Sequence, residues 1–124
     1  MTGVQTCALP IWLNREWAGS GARAHYIDDY YRVTQTGYVK ALRAQGLTDA
    51  QIGTHAGSAD TALQMAVAPA GVSPSQFDAA AREGATSGTV GDPRAATAAL
   101  GQLGVDLIVA QTVTAIRAAV AARP

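Results

Sequence analysis

Cysteine is nearly absent from this chain. Cys7 stands alone, which excludes an intrachain disulfide framework and makes a reducing, cytoplasmic setting the expected one. Lysine is as scarce, with Lys40 its single instance against eight arginines. Charged residues are 15% of the chain and cancel, nine basic against nine acidic. No basic run exists, so nothing points to a nucleic-acid partner. No apolar stretch approaches the roughly 20 residues that span a bilayer, so no membrane partner is expected. A P-loop, a paired-cysteine motif, a serine-centred elbow and internal repeats are all missing, and Gly19-x-Gly21 lacks the spacing of a dinucleotide fingerprint. What is present is 48% apolar residues over 124 positions, enough for one small domain with its own core. Abundant alanine and the preference for arginine over lysine fit a GC-rich bacterial gene.

In chain order, Leu13 to Trp17 reads as the end of a helix closed by the Gly19-Ser20-Gly21 turn cluster. Ala22 to Ile27 alternates in the manner of a strand. Helix, glycine turn and strand are half of a βαβ unit, which predicts α/β architecture with a parallel sheet. Asp28 and Asp29 follow, two adjacent carboxylates of the kind that bind a metal or work as an acid/base pair, but a solvated strand end is the favoured reading, since adjacent strand side chains point to opposite faces. His25, inside the strand, reads as structural. Tyr38 to Gln45 has helical spacing, stopped by Gly46. Thr48-Asp49-Ala50-Gln51 has the form of a capping box and predicts a short turn closed by Gly53.

The chain is organised around Thr54-His55-Ala56-Gly57-Ser58-Ala59-Asp60-Thr61. A titratable imidazole stands just before an apolar helix pattern that runs to about Ala68 and ends at Pro69 and Gly71. Imidazole titrates near neutral pH and moves protons in either direction, while helix N-termini offer unpaired N–H groups. Taken alone, a histidine at this position is more often a hydrogen-bonding structural residue than a catalyst. Ser58 or Asp60 is a candidate helix cap, a role compatible with orienting His55. Phe77 to Arg82 predicts one or two helical turns, and Gly84 to Pro93 a loop. Asp92 and Pro93 then read as the cap and first residue of the longest helix. Its stripe of Leu100, Leu103, Leu107, Ala110 and Val113 is widened by Val105, Ile108, Val109 and Ile116 until little is polar. Such a helix is expected to be buried in a larger body.

His55, Ala56, Gly57, Asp60, Thr61 and Ala62, with Met65 and Pro69 beyond, resemble the second signature of the creatininase (creatinine amidohydrolase) family. Asp60 stands where glutamate is usual and Ala62 where serine is usual. Gly91-Asp92-Pro93, Ala96-Thr97 and Gly101 resemble the family's closing motif, without the acidic-basic pair that commonly precedes its glycine. The resemblance runs from about Leu13 to Arg123. It implies the C-terminal part of an α/β/α sandwich with a central parallel sheet and a long C-terminal helix. It also implies a metal-dependent hydrolase with zinc or manganese, acting on a small-molecule amide such as a cyclic amide or formamide, in a homo-oligomer that is commonly hexameric. By the same resemblance, His55 shuttles a proton to the leaving nitrogen, Asp60 accompanies it, and Tyr30 is the nearest match to a substrate-side aromatic.

The family's metal ligands come from an upstream Glu-x-His-Gly segment and a later Gly-His segment, and neither occurs here. His25 and His55 have no ligand spacing that replaces them. No metal ligand is therefore assigned, and the chain alone is expected to be inactive. Met1 to Ile11 resembles the conceptual translation of a sequencing-library adapter, so residues 1–11 are expected to be non-native and 12–124 to form the C-terminal part of one domain. The rival expectation is a non-catalytic scaffold or oligomerisation module on the same fold.

Overall fold

The computed structural model describes residues 3–122. Among them are seven α-helices: α1 (Gly3–Glu16), α2 (Asp29–Val33), α3 (Val39–Ala44), α4 (Asp49–Ile52), α5 (Ser58–Val67), α6 (Phe77–Glu83) and α7 (Ala98–Ala121). A single π-helical turn, Thr34–Tyr38, makes α2 and α3 one continuous rod. No strand is present among the described residues, and their only β pairing is an isolated bridge between His55 and Val90. This overturns the expected α/β sandwich with its central parallel sheet.

The reason lies in pairing. A strand is stabilised by a neighbour that takes up its N–H and C=O groups. Ala22 to Ile27 has none. It runs as irregular chain, tied to α1 by the Asn14 side chain, which donates to the Ala24 carbonyl at 2.9 Å and accepts from the Ala24 N–H at 2.8 Å. His25 is exposed on it. Asp28 does not end a strand either. It precedes α2 and pairs with Arg32 one turn on, which holds its carboxyl below the usual carboxylate range. The Gly19 and Gly21 turn is present, both with positive φ, and closes α1. That helix runs through the segment whose sequence resembles adapter translation.

Local signals after residue 38 agree better with the structure. Thr48 and Gln51 form the reciprocal capping box, and α6 lies where one or two helical turns are expected. The longest helix begins later than its Asp-Pro pair indicated. Asp92 caps a short 3-10 turn at Pro93–Ala95 by accepting from the Arg94 N–H, and Thr97 caps α7 by accepting from the Leu100 N–H.

The core is small: Tyr38, Leu42 and Ile52, ringed by Val39, Leu47, Ala59, Leu63, Leu100 and Leu107. α7 crosses α5 at very short range. A Cβ at Gly101 would sit 1.8 Å from the Ala62 carbonyl oxygen and 2.9 Å from the Ala66 Cβ. Only glycine on one helix facing alanine on the other permits that approach. Beyond the crossing, α7 is largely uncovered, with Val109 55%, Ile116 46% and Val120 51% exposed. α7 also corrects the expectation that nothing here could cross a bilayer, since its 24 residues are long and apolar enough by length and composition. Gln102, Asp106 and Gln111 break the run in the sequence, but the surrounding alanine, valine and leucine keep the helix apolar on average.

Candidate functional site

The site is built where α4, α5 and the segment before α7 converge. His55 is held through its backbone. The Val90 N–H donates to the His55 carbonyl at 2.8 Å, and the Val90 carbonyl accepts from both Thr54 and His55 N–H groups, at 2.8 and 3.2 Å. Ala56 follows with φ of +52°, the one non-glycine residue in the left-handed region among those described. That conformation costs about 1 kcal/mol or more for a residue with a Cβ and persists only where neighbours enforce it. Two side chains from the first turn of α5 do so. The Asp60 carboxylate accepts from the Ala56 N–H at 2.9 Å, and the Thr61 hydroxyl donates to the Ala56 carbonyl at 3.3 Å.

The two motifs that carried the family resemblance meet here. Ser58, fully buried, donates its hydroxyl to the Asp92 carbonyl, 34 residues on. A Cβ at Gly91, whose φ is +148°, would lie 2.7 Å from the Gly57 Cα and 2.8 Å from the Gly53 Cα. A Cβ at Gly57 would lie 2.4 Å from the Ile52 carbonyl oxygen. His-Ala-Gly and Gly-Asp-Pro are thus two faces of one backbone-to-backbone contact. Asp92 itself is occupied by Arg94, whose guanidinium holds its carboxyl below the usual range.

The histidine and the carboxylate do not pair. Both His55 and Asp60 are exposed, and among the described residues the imidazole has no hydrogen-bond partner. Asp60 acts on His55 only through the Ala56 peptide. On its other side Asp60 lines an open groove of about 430 Å³, shared with Ala56, Thr61, Gln64, Gln76 and Phe77. Tyr30 lies on α2, 52% exposed, and is not among the groove's lining residues. Beneath α5, Tyr38 is fully buried, and desolvation together with the Asp60 charge pushes its phenol up to about 12. Sequence reasoning missed Val90, the linking role of Ser58 and the packing role of Gly91. As a sequence signal the Gly-Asp-Pro motif marks a helix start, and nothing local in it marks a partner of His-Ala-Gly.

Among the described residues, no three His, Cys, Asp or Glu side chains lie close enough to hold a metal ion. His55 has no second donor beside it, and the Asp60 carboxylate is engaged with backbone. A divalent metal does not fit this donor set.

An exposed imidazole thus stands on a loop fastened through Val90 on one side and through Ala56 on the other. The family model for creatininase, creatinine amidohydrolase, matches residues 13–116, and the chain belongs to that family of amidohydrolases. No curated protein and no solved structure matches the chain.

Proposed function

We propose that this chain is the proton-shuttle portion of a metal-dependent amidohydrolase that cleaves a C–N bond in a small cyclic amide, formamide or related amide. The observation that carries the reading is the convergence of the two family motifs on one fastened loop bearing an exposed imidazole. When water adds to an amide carbonyl and the C–N bond breaks, the leaving nitrogen must gain a proton. An imidazole takes that proton from the attacking water and hands it to the nitrogen. The backbone grip of Val90 and the clamp of Asp60 and Thr61 on Ala56 fix where His55 stands before substrate arrives. Asp60 is the positioning residue in this scheme, and Tyr30 the candidate aromatic on the substrate side.

Zinc or manganese is assigned to no residue here. In this reading its donors lie in sequence upstream of these residues, and the chain by itself binds no stoichiometric metal and hydrolyses no amide. The exposed outer half of α7 is then a core helix whose cover is the rest of a cytoplasmic, homo-oligomeric protein. The same exposed face favours the second reading, a scaffold or oligomerisation module without catalysis. A long read across the 5′ side of the gene in its source DNA separates the two. In-frame Glu-x-His-Gly and Gly-His-Gly segments support the enzyme, and a coding region that starts at Met1 overturns it. Amide hydrolysis by the purified chain with one or two bound metal ions would refute the claim of inactivity.

A further inference from the structure

The groove beside Asp60 carries a definite charge. Its polar lining is mixed: Ser73, Gln76 and Thr89 can donate or accept, whereas three groups from the first turns of α5 turn oxygen toward hydrogen-bond donors. The Asp60 carboxylate is acceptor-only. Thr61 spends its hydroxyl proton on the Ala56 carbonyl, leaving oxygen lone pairs. Gln64 spends one amide N–H on the Ala68 carbonyl at 3.3 Å, leaving its carbonyl oxygen and its second N–H. Among the described residues no lysine, arginine or histidine lines the groove, and Asp60 is the one ionisable group of that lining. Phe77, the sole phenylalanine of the sequence, contributes an aromatic ring to the same lining. One carboxylate with no cation beside it, together with an aromatic ring, favours a ligand that carries positive charge and donates N–H bonds to Asp60. The volume of about 430 Å³ falls within the range of small-molecule sites.

We propose that the groove between α5 and α6 binds a small cationic N–H donor, an amidinium or primary ammonium group on a compact apolar body. Its service as a substrate subsite rests on the amidohydrolase reading above, whereas its ligand polarity does not. The probes are benzamidinium and benzoate, which share a ring and differ in charge and in donor against acceptor character. Each is titrated into the full ¹⁵N-labelled chain and followed through backbone amide shifts. The expected result is saturable movement at Asp60, Gln64 and Phe77 with benzamidinium at millimolar concentration, and none with benzoate. Asp60→Asn should weaken benzamidinium about tenfold, the scale of one charge-assisted hydrogen bond. Gln64→Met removes an acceptor without touching the Ala56 clamp and should weaken it about threefold, which keeps the test informative where Asp60→Asn fails to fold. Equal binding of benzoate, or benzamidinium shifts located away from the groove or absent, would overturn the proposal. A chain that binds benzamidinium but belongs to a gene without metal-ligand segments would refute the hydrolytic reading and leave the groove's polarity standing.

Discussion

The contact at Gly101 and the outer half of α7 belong to one helix and are built from similar small and aliphatic residues, yet they differ completely in what they touch. At Gly101 the helix lies against the Ala62 carbonyl with no room for a methyl group. From Val109 onward its large apolar side chains, Val109, Val113, Ile116 and Val120, are open. Hydropathy treats the two halves alike. Packing distinguishes them, because specificity in a close-packed interior comes from shape and not from apolar character alone.

The comparison can be broken by substitution. Gly101→Ala should have the largest effect, lowering stability by about 3 kcal/mol or more, since the added methyl meets backbone that cannot yield cheaply. Thermal unfolding followed by circular dichroism checks it, and a variant that melts like the parent would sink the described α5–α7 crossing. Next is Tyr38. Its phenol is raised from 10.0 to about 12, so the folded state favours the neutral form. The contribution is fully present below the unfolded value near pH 10 and is lost as pH climbs through about 12. That amounts to roughly 2–3 kcal/mol by linkage. Urea midpoints measured from pH 9 to 12 should fall more steeply for the parent than for Tyr38→Phe, and parallel curves would contradict the burial of the hydroxyl. Ala56→Gly should go the other way, raising stability by up to about 1 kcal/mol through relief of the left-handed backbone. A clear loss there would mean that Ala56 is not strained. Ile116→Gln should change least, within about 0.5 kcal/mol, because its side chain is half exposed already. A cost above about 2 kcal/mol, or a fall in sedimentation coefficient, would reveal that something covers the outer face in solution.

Legibility in the sequence followed the range of the interactions. The Thr48–Gln51 box, the α6 turns and the glycine closure of α1 depend on neighbours a few residues away, and they were readable. The strand at 22–27 depended on a partner that no local pattern can supply, and it failed. The π-turn joining α2 to α3 was equally invisible, since Thr34 to Tyr38 carries no signal that separates it from a loop. The family was legible, because motif spacing records long-range chemistry that propensity does not. Ser58, buried against the Asp92 carbonyl, could have been found only by asking why two motifs travel together.

That junction sets an order of assembly. The His55–Val90 bridge and the Ser58–Asp92 bond close a loop of more than thirty residues, a closure whose chain entropy must be lost before its contacts are gained. The backbone of His55 is held only once residue 90 has arrived beside it. A chain in which that closure fails keeps both motifs in its sequence and leaves the histidine on an unfastened loop.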